Sequence, residues 1–262
     1  MARAIRSRSF RNSQPLGKPA TRQAGKSHLI SLGQSGRLVD LKTIEIVRKW
    51  GERKLQLKRA YRRIRQRELF LLAYGNLYAN KGATTAGVDP QDSVDGMSLE
   101  RINHILGQLA TGTYQWKPVK RVYIPKKSGK HRDLGLPSWN DKLVQEVIRQ
   151  VLEAYYEPQF SRYSHGYRPG RGCHTALDEI RRTWAGTKWF IEGDIKGCFD
   201  HIAHHLLLAI IKRDIPDQYF LKFLKDMLQA GYVEDWKYHQ TYSGTPQGGV
   251  ISPILSNIIL NE

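Results

Sequence analysis

The stretch "FIEGDIKGCFDHI", residues 190–202, places an acid at the end of an apolar segment. With Trp189 before it, the segment predicts a buried strand over residues 188–195, with Asp194 near its end. Gly193 and Gly197 flank this acid and would let a large ligand approach the backbone. A carboxylate in such a place can bind Mg²⁺, a hard cation that takes carboxylate and phosphate oxygens. A helix cap or a plain turn residue is the other interpretation of a single strand-end aspartate.

The formal net charge of +18 is concentrated near the amino terminus of the 262-residue chain. Residues 1–80 contain 19 Lys and Arg against four Asp and Glu, a net of +15, whereas residues 81–262 carry 23 against 20. Such an excess indicates a polyanionic partner, although a solvated charged face is the simpler alternative. Nucleic acid is favoured over membrane because no apolar run approaches 18 residues.

The first 40 residues are predicted to be a basic, disordered N-terminal extension. Residues 1–38 are rich in Arg, Ser and Gly and contain no acid. The segment could order on RNA or serve as an organellar transit peptide, and composition does not separate these two functions. It has no apolar core typical of a secretion signal, so we expect a bacterial cytoplasm or an organelle matrix.

A helical pattern runs over residues 41–78. Leu57, Tyr61, Ile64 and Leu71 form one apolar stripe. The other faces carry basic residues that are candidate RNA contacts: Lys58, Arg59, Arg62, Arg63, Arg65 and Arg67. A solvated basic helix is the alternative.

Further elements follow from turn residues and periodicity. Residues 80–98 have loop composition, and Ser98 is placed to cap a helix over residues 99–110. A strand over 119–125 precedes a hairpin turn at 126–130. Further helices are predicted over 141–158, 175–183, 204–212, 218–230 and from 253 onward.

No metal-ligand spacing is present among the cysteines and histidines. Cys173 and Cys198 form no CxxC pair and fit a reducing compartment. The segment "HIAHH", residues 201–205, is interpreted as a helix start with exposed imidazoles rather than a zinc site. Lys126 and Arg132, on a probable hairpin, could reach a triphosphate, and Phe199 could wall a nucleotide sugar.

Five sequence blocks, in this order along the chain, resemble those of group II intron reverse transcriptases, also called maturases. They are "NKGATTAGVD…DGMS", "YIPKKSGKHRDLGLPSWNDKLVQ", "YSHGYRPGRGCHTAL", "EGDIKGCFDHI" and "GTPQGGVISPILSNIILNE". The resemblance covers about residues 55–262 and implies an α+β right-hand polymerase fold. It implies a helical basic fingers region with N-terminal RNA-binding helices over residues 41–160. Residues 161–262 would hold the remaining fingers and a partial antiparallel palm sheet.

The resemblance also implies roles for individual residues. Asp194 would be a catalytic Mg²⁺ ligand, joined by the carbonyl of Ile195. Phe199 would be the steric gate against a ribonucleotide 2′-hydroxyl. The other implied nucleotide-pocket residues are Lys126, Arg132, Gly197, Cys198 and Gln247. Arg168 and Arg171 would either contact RNA template or stabilise the palm.

One departure limits this inference: the family's Tyr-x-Asp-Asp block does not occur within the 262 residues. Asp194 is therefore expected to be half of a metal site, and Asp200 is interpreted as a cap of the following helix. The implied partners are intron RNA, an RNA template with a DNA primer, and dNTP, with no membrane; a homodimer stays open. The rival functions are a non-catalytic splicing cofactor and another bacterial reverse transcriptase, either diversity-generating or CRISPR-associated.

Overall fold

The computed structural model describes residues 3–6, 42–80, 85–90, 92–125, 129, 131–245 and 248–262. Apart from residues 3–6, the predicted N-terminal extension lies outside the described residues. Those four residues form strand β1 (Arg3–Arg6), so the extension is not disordered throughout.

The centre of the molecule is helix α5 (Trp139–Tyr156), most of whose side chains are buried. Its first turn is capped by Ser138, whose hydroxyl oxygen accepts the backbone N–H of Asp141 at 3.2 Å. Helices α1 (Lys42–Glu52), α3 (Arg67–Tyr78) and α9 (Ser252–Leu260) pack on it. The closest approach is at Gly51, where a Cβ atom would overlap the Tyr155 carbonyl oxygen, so only glycine fits there.

The helical pattern over residues 41–78 is divided among α1, the short α2 (Ala60–Arg63) and α3. The chain bends because Lys54 and Arg59 adopt left-handed backbone conformations, with φ of 51° and 58°. Leu57 and Ile64 are both fully buried, as their apolar stripe predicted, but the bend brings Leu57 to the end of another helix. Its N–H donates to the Asp214 carbonyl at 2.9 Å.

The remaining helices lie close to their predicted positions. They are α4 (Leu99–Thr111), α6 (Cys173–Thr183), α7 (His204–Asp214) and α8 (Gln218–Leu228). Ser98 caps α4 as predicted, since its Oγ accepts the Arg101 N–H at 3.1 Å. Asp200 does not cap α7: the N-cap position is Ala203, and Asp200 lies in the turn before it.

A four-stranded sheet has the order β3-β2-β5-β6. Strands β2 (Val119–Pro125) and β3 (His131–Leu136) form the predicted hairpin, with Ile124 opposite Arg132. Strands β5 (Tyr232–Glu234) and β6 (Lys237–His239) form a second hairpin that the sequence analysis missed. Since β2 and β5 pair in parallel, this sheet is mixed rather than antiparallel.

Strand β4 (Trp189–Glu192) confirms the predicted strand, but the prediction that it is buried is wrong. All four of its residues are exposed, and Ile191 is 81% exposed. Within the described residues β4 pairs only with β1, antiparallel, and no described helix covers it.

Candidate functional site

Asp194 lies two residues beyond the end of β4, since this strand is shorter than predicted, and its side chain is exposed to solvent. Ile195 beside it is also exposed. A carboxylate and a backbone carbonyl are oxygen donors of the kind that Mg²⁺ prefers, so these two residues suit a magnesium ion. They are an incomplete ligand set, and the described part of the chain contains no cluster of three or more His, Cys, Asp or Glu that could hold a metal.

The residues after Asp194 form a tight turn over residues 196–201. Gly197 has φ of 60°, and its carbonyl accepts N–H bonds from Asp200 at 2.9 Å and His201 at 3.1 Å. A Cβ atom on Gly197 would lie 2.9 Å from His201 Nδ1, so both conformation and space favour glycine. The turn therefore presents Cys198 and Phe199, both half-buried, immediately after the candidate metal ligand.

The segment 243–245 clamps this turn from the other side. Thr245 N–H donates to the Phe199 carbonyl and Gly244 N–H donates to the Ile202 carbonyl, each at 2.8 Å. His204, predicted to be exposed, is buried, and its Nε2–H donates to the Gly244 carbonyl at 2.7 Å. The sequence analysis missed this contact because it joins residues forty positions apart.

Cys198 and Phe199 have further neighbours that fix the turn. The Cys198 sulfur lies 3.5 Å from Ser256 Oγ on α9. The Phe199 ring packs edge-on against Tyr167, with centroids 6.3 Å apart. Tyr167 is 71% exposed and has φ of 55°, so it extends the aromatic wall beside Phe199 and was missed by the sequence analysis.

Arg168 and Arg171 build the loop that carries Tyr167. The Arg168 guanidinium is buried, binds both carboxylate oxygens of Glu157, and donates to the carbonyls of Ser161 and Ser164 at 2.7 and 2.8 Å. Arg171 Nη1 donates to the Arg162 carbonyl at 2.5 Å. Because the donors of Arg168 are used inside the protein, these contacts favour its structural role over RNA contact.

The two nucleotide-pocket candidates Lys126 and Gln247 lie outside the described residues. Arg132 is exposed on β3, opposite Ile124. Gly248, next to Gln247, contacts the β2–β3 hairpin: a Cβ there would lie 2.6 Å from Leu134 Cδ1 and 2.9 Å from the Gly135 carbonyl oxygen. The structure thus brings Gly248 against the strand that carries Arg132.

A buried glutamine that the sequence analysis missed binds the segment just after Gly248. Gln145 lies on α5, and its Oε1 accepts the Val250 N–H at 3.1 Å. The Gln145 side-chain amide therefore anchors Val250 to the central helix.

The six basic candidates of residues 58–67 divide into two groups. The side chains of Lys58, Arg59, Arg62 and Arg67 are exposed. Arg63 and Arg65 are half-buried and stack over rings, Arg63 at 5.3 Å from Trp50 and Arg65 at 5.4 Å from Tyr61. Burial lowers the pKa of the Arg63 guanidinium from its usual value, which lies far above neutrality. The exposed group can meet phosphates directly.

One strongly shifted carboxyl group lies outside this site. Burial raises the pKa of Asp141 to about 6, against hydrogen bonds from Tyr114, Ser138 and the Lys117 backbone, which lower it. Asp141 joins α5 to the segment before β2, and we assign it a structural role.

Comparison with known proteins places the chain in a family. The family model for reverse transcriptase (RNA-dependent DNA polymerase) matches residues 124–262. The group II intron-encoded protein LtrA of Lactococcus lactis subsp. cremoris is 51% identical over 205 residues, which cover 78% of this chain and 34% of LtrA. An uncharacterized 91 kDa protein in the cob intron of Schizosaccharomyces pombe is 46% identical over 75% of this chain and 24% of its own length.

A more distant relative and a solved structure agree with these matches. Nuclear intron maturase 2, mitochondrial, of Arabidopsis thaliana is 28% identical over 65% of this chain and 25% of its own length. A chain of the partial Cas6-RT-Cas1–Cas2 complex is similar in fold, with a TM-score of 0.50 and 21% identity, covering 75% of this chain and 33% of that chain. These matches confirm the predicted polymerase fold class, and this chain spans about a quarter to a third of the length of these three curated relatives.

Proposed function

Because the chain belongs to the reverse transcriptase family, we propose that it forms the fingers and part of the palm of a group II intron-encoded RNA-directed DNA polymerase. The polymerase would also bind its intron RNA and assist splicing. The observation that carries the proposal is the turn after Asp194, clamped between residues 243–245 and Tyr167.

In this proposal Asp194 and the Ile195 carbonyl would hold Mg²⁺ together with further acids, such as those of a Tyr-x-Asp-Asp block, which the 262 residues do not contain. The ion would neutralise charge on the triphosphate and on the attacking oxygen during an in-line displacement at phosphorus. Asp194 is exposed, so it can reach a metal-bound nucleotide without prior rearrangement of the core.

The chain's own residues would shape the nucleotide pocket around that ion. Phe199, fixed by Tyr167 and by the Thr245 N–H bond to its carbonyl, would exclude a 2′-hydroxyl by contact with its ring. Gly197 and Cys198 would border the sugar through their backbone. Arg132 and Lys126 would bind the phosphates, with the arginine fork giving paired hydrogen bonds, and Gln247 would line the pocket.

The proposed partners are an RNA template with a DNA primer, dNTP and intron RNA. Lys58, Arg59, Arg62 and Arg67 are exposed and would contact intron RNA phosphates. In the described part of the chain, no helix has the length and apolarity needed to cross a membrane. We propose the bacterial cytoplasm or an organelle matrix as the location, and a homodimer stays open.

Substitution of Phe199, the proposed gate residue, tests this function. The experiment uses a polymerase-length protein that contains residues 1–262. Phe199→Ala should keep Mg²⁺-dependent primer extension with dNTPs on an RNA template. Discrimination against ribonucleotides should fall about ten- to a hundredfold, because a pocket that loses a ring loses its steric contact with the 2′-hydroxyl. The measurement is kcat/KM for matched dNTP and rNTP pairs.

Tyr242→Ala is the matched control, since Tyr242 is an exposed aromatic residue near the clamp that does not contact Phe199 in the described structure. Discrimination unchanged by Phe199→Ala would remove the gate role. Absence of any primer extension by the unsubstituted protein would contradict the polymerase function itself.

A further inference from the structure

A groove of about 460 Å³ lies between α2, the carboxyl end of α4 and α8. Four aromatic side chains line it (Tyr61, Tyr114, Tyr219 and Phe223), together with Arg65, Lys222 and Asp226. None of the residues assigned to the polymerase site lines this groove. We propose that the groove binds single-stranded RNA and that one base stacks on Tyr219.

The rings form a continuous row from the surface to the core. Tyr219 is 76% exposed, and its ring centroid lies 6.2 Å from that of Tyr61 at an interplanar angle of 34°. Tyr61 packs edge-on against buried Phe223 at 5.5 Å, and Phe223 packs on Trp116 at 4.8 Å. The exposed end of the row offers a face to a base, and any base can use it because each has a π-face.

One carboxylate holds the backbone of both outer aromatic residues. Asp217 caps α8, and its Oδ1 accepts the N–H groups of Tyr219 at 3.1 Å and Phe220 at 3.2 Å. Its Oδ2 accepts the Tyr61 N–H at 2.9 Å, and the Tyr61 hydroxyl donates to the Leu109 carbonyl at 2.9 Å. The Tyr61 ring, held at its backbone and its hydroxyl, and the backbone of Tyr219 therefore lose little freedom when a ligand binds, which favours affinity.

Charge on the α2 side of the groove suits a phosphate backbone. The Arg65 guanidinium lies 5.4 Å from the Tyr61 ring and makes one long bond, 3.4 Å from Nη1 to the Ala110 carbonyl. Its Nε–H is buried and has no hydrogen-bond partner in the described structure, so a phosphate would be bound by the terminal amino groups. On the α8 side, Lys222 pairs with Asp226 at 2.6 Å, which offsets its charge. We therefore assign phosphate contact to Arg65 and not to Lys222.

The choice of RNA over a peptide rests on the proposed function and on the charge next to the groove. Lys58, Arg59 and Arg62 are exposed in and just before α2. A basic edge beside a stacking platform is the combination found in single-strand binding sites. A peptide partner would gain nothing from this excess of positive charge unless it were acidic.

The test measures binding of the whole 262-residue chain to a dye-labelled single-stranded RNA oligonucleotide by fluorescence anisotropy. Tyr219→Ala should weaken binding at least about fivefold, because a lost stacked base has a cost of that size. Tyr219→Phe should retain the affinity, since the ring is kept. Tyr78→Ala, which removes an exposed tyrosine of α3 that does not line the groove, should also retain it.

A second variant tests the phosphate contact. Arg65→Gln should lower the slope of log affinity against log salt by about 0.7 to 0.9, the share of one neutralised phosphate. Circular dichroism and thermal melting check that each variant is folded. Since the readout is binding alone, it is independent of primer extension, which tests the proposed function through Phe199 and Asp194.

Two results would overturn the proposal. One is an RNA affinity that Tyr219→Ala leaves unchanged. If the same variant alters self-association of the chain, the groove would be assigned to protein contact. The other is an equal loss of affinity for blunt duplex RNA, which would exclude base stacking as the mode of binding.

Discussion

Gly244 joins the turn after Asp194 to the segment 243–245 that clamps it. It has φ of 82°, and a Cβ atom there would lie 2.7 Å from the Asp200 carbonyl oxygen and 2.9 Å from that of Phe199. Its own N–H and carbonyl bond to Ile202 and His204. A larger residue would therefore strain the backbone and push the clamp away from the turn.

Gly244→Ala should destabilise the chain by about 2 to 4 kcal/mol, the sum of left-handed strain and overpacking. The matched control is Gly112→Ala. Gly112 also has a positive φ, 72°, but no described atom lies within 4 Å of the place that its Cβ would take. Gly112→Ala should therefore cost only the backbone strain, about 1 kcal/mol. Urea unfolding of both variants measures the difference, and equal losses would show that the close contact at Gly244 has no energetic weight.

At the level of single residues, the sequence placed Arg132 on the correct hairpin and Asp194 close to the end of a strand. It could not predict the contacts of His204 and Gly244, because such contacts depend on how distant segments fold together. For the same reason the buried ion pair of Arg168 with Glu157 could not be foreseen from "GYRPGRG".

Among the elements, one arginine joins residues 92–98 to α4 and α5. Arg101 on α4 forms an ion pair with Asp92, and its Nε donates to Asn140 Oδ1 at 2.7 Å. The other Asp92 carboxylate oxygen accepts the N–H of Trp139, the first residue of α5. Asp92 is 7% exposed, so removal of its partner leaves a buried charge.

Arg101→Ala should destabilise the chain by about 3 kcal/mol and raise the hydrogen exchange of amides in residues 92–98. Arg181→Ala is the control, because Arg181 pairs with Asp178 at 3.2 Å on the exposed face of α6 and should cost at most about 0.5 kcal/mol. Hydrogen exchange measured by mass spectrometry distinguishes the two variants. Unaltered exchange in residues 92–98 would mean that other contacts hold this segment.

Helices with a capping residue and a regular apolar stripe were predictable, as α4 and α5 show. The bends at Lys54 and Arg59 were not, because no Gly or Pro marks these left-handed positions. The burial of β4 was overestimated for a different reason: apolar composition indicates what a strand can bury, and the packing of other elements decides whether it does.

For the whole molecule, the N-terminal charge is the feature on which the proposed RNA binding most depends. The structure restricts how it can be tested, since Val47, Leu57 and Ile64 belong to the core and removal of residues 1–67 would unfold the chain. Substitution of exposed basic side chains avoids this problem.

Replacing Lys58, Arg59 and Arg62 with Gln should reduce the salt dependence of RNA affinity by about 2 to 3 in log–log slope, because each neutralised phosphate contributes about 0.7 to 0.9. Titrations at several KCl concentrations measure the slope. The matched control replaces Arg181, Arg182 and Lys188, which are exposed at and after α6, and should change it less. Equal effects of the two triple variants would indicate nonspecific attraction by net charge.

The central claim is that Asp194 is a catalytic magnesium ligand, and Asp194→Asn in a polymerase-length protein tests it most directly. The substitution keeps the size of the side chain and removes the negative charge, so Mg²⁺-dependent primer extension should fall at least about a thousandfold. Splicing assistance and RNA affinity should be retained, since Asp194 lies outside the basic surface of residues 58–67 and outside the groove that are proposed to bind RNA. Near-normal primer extension by Asp194→Asn would contradict the account.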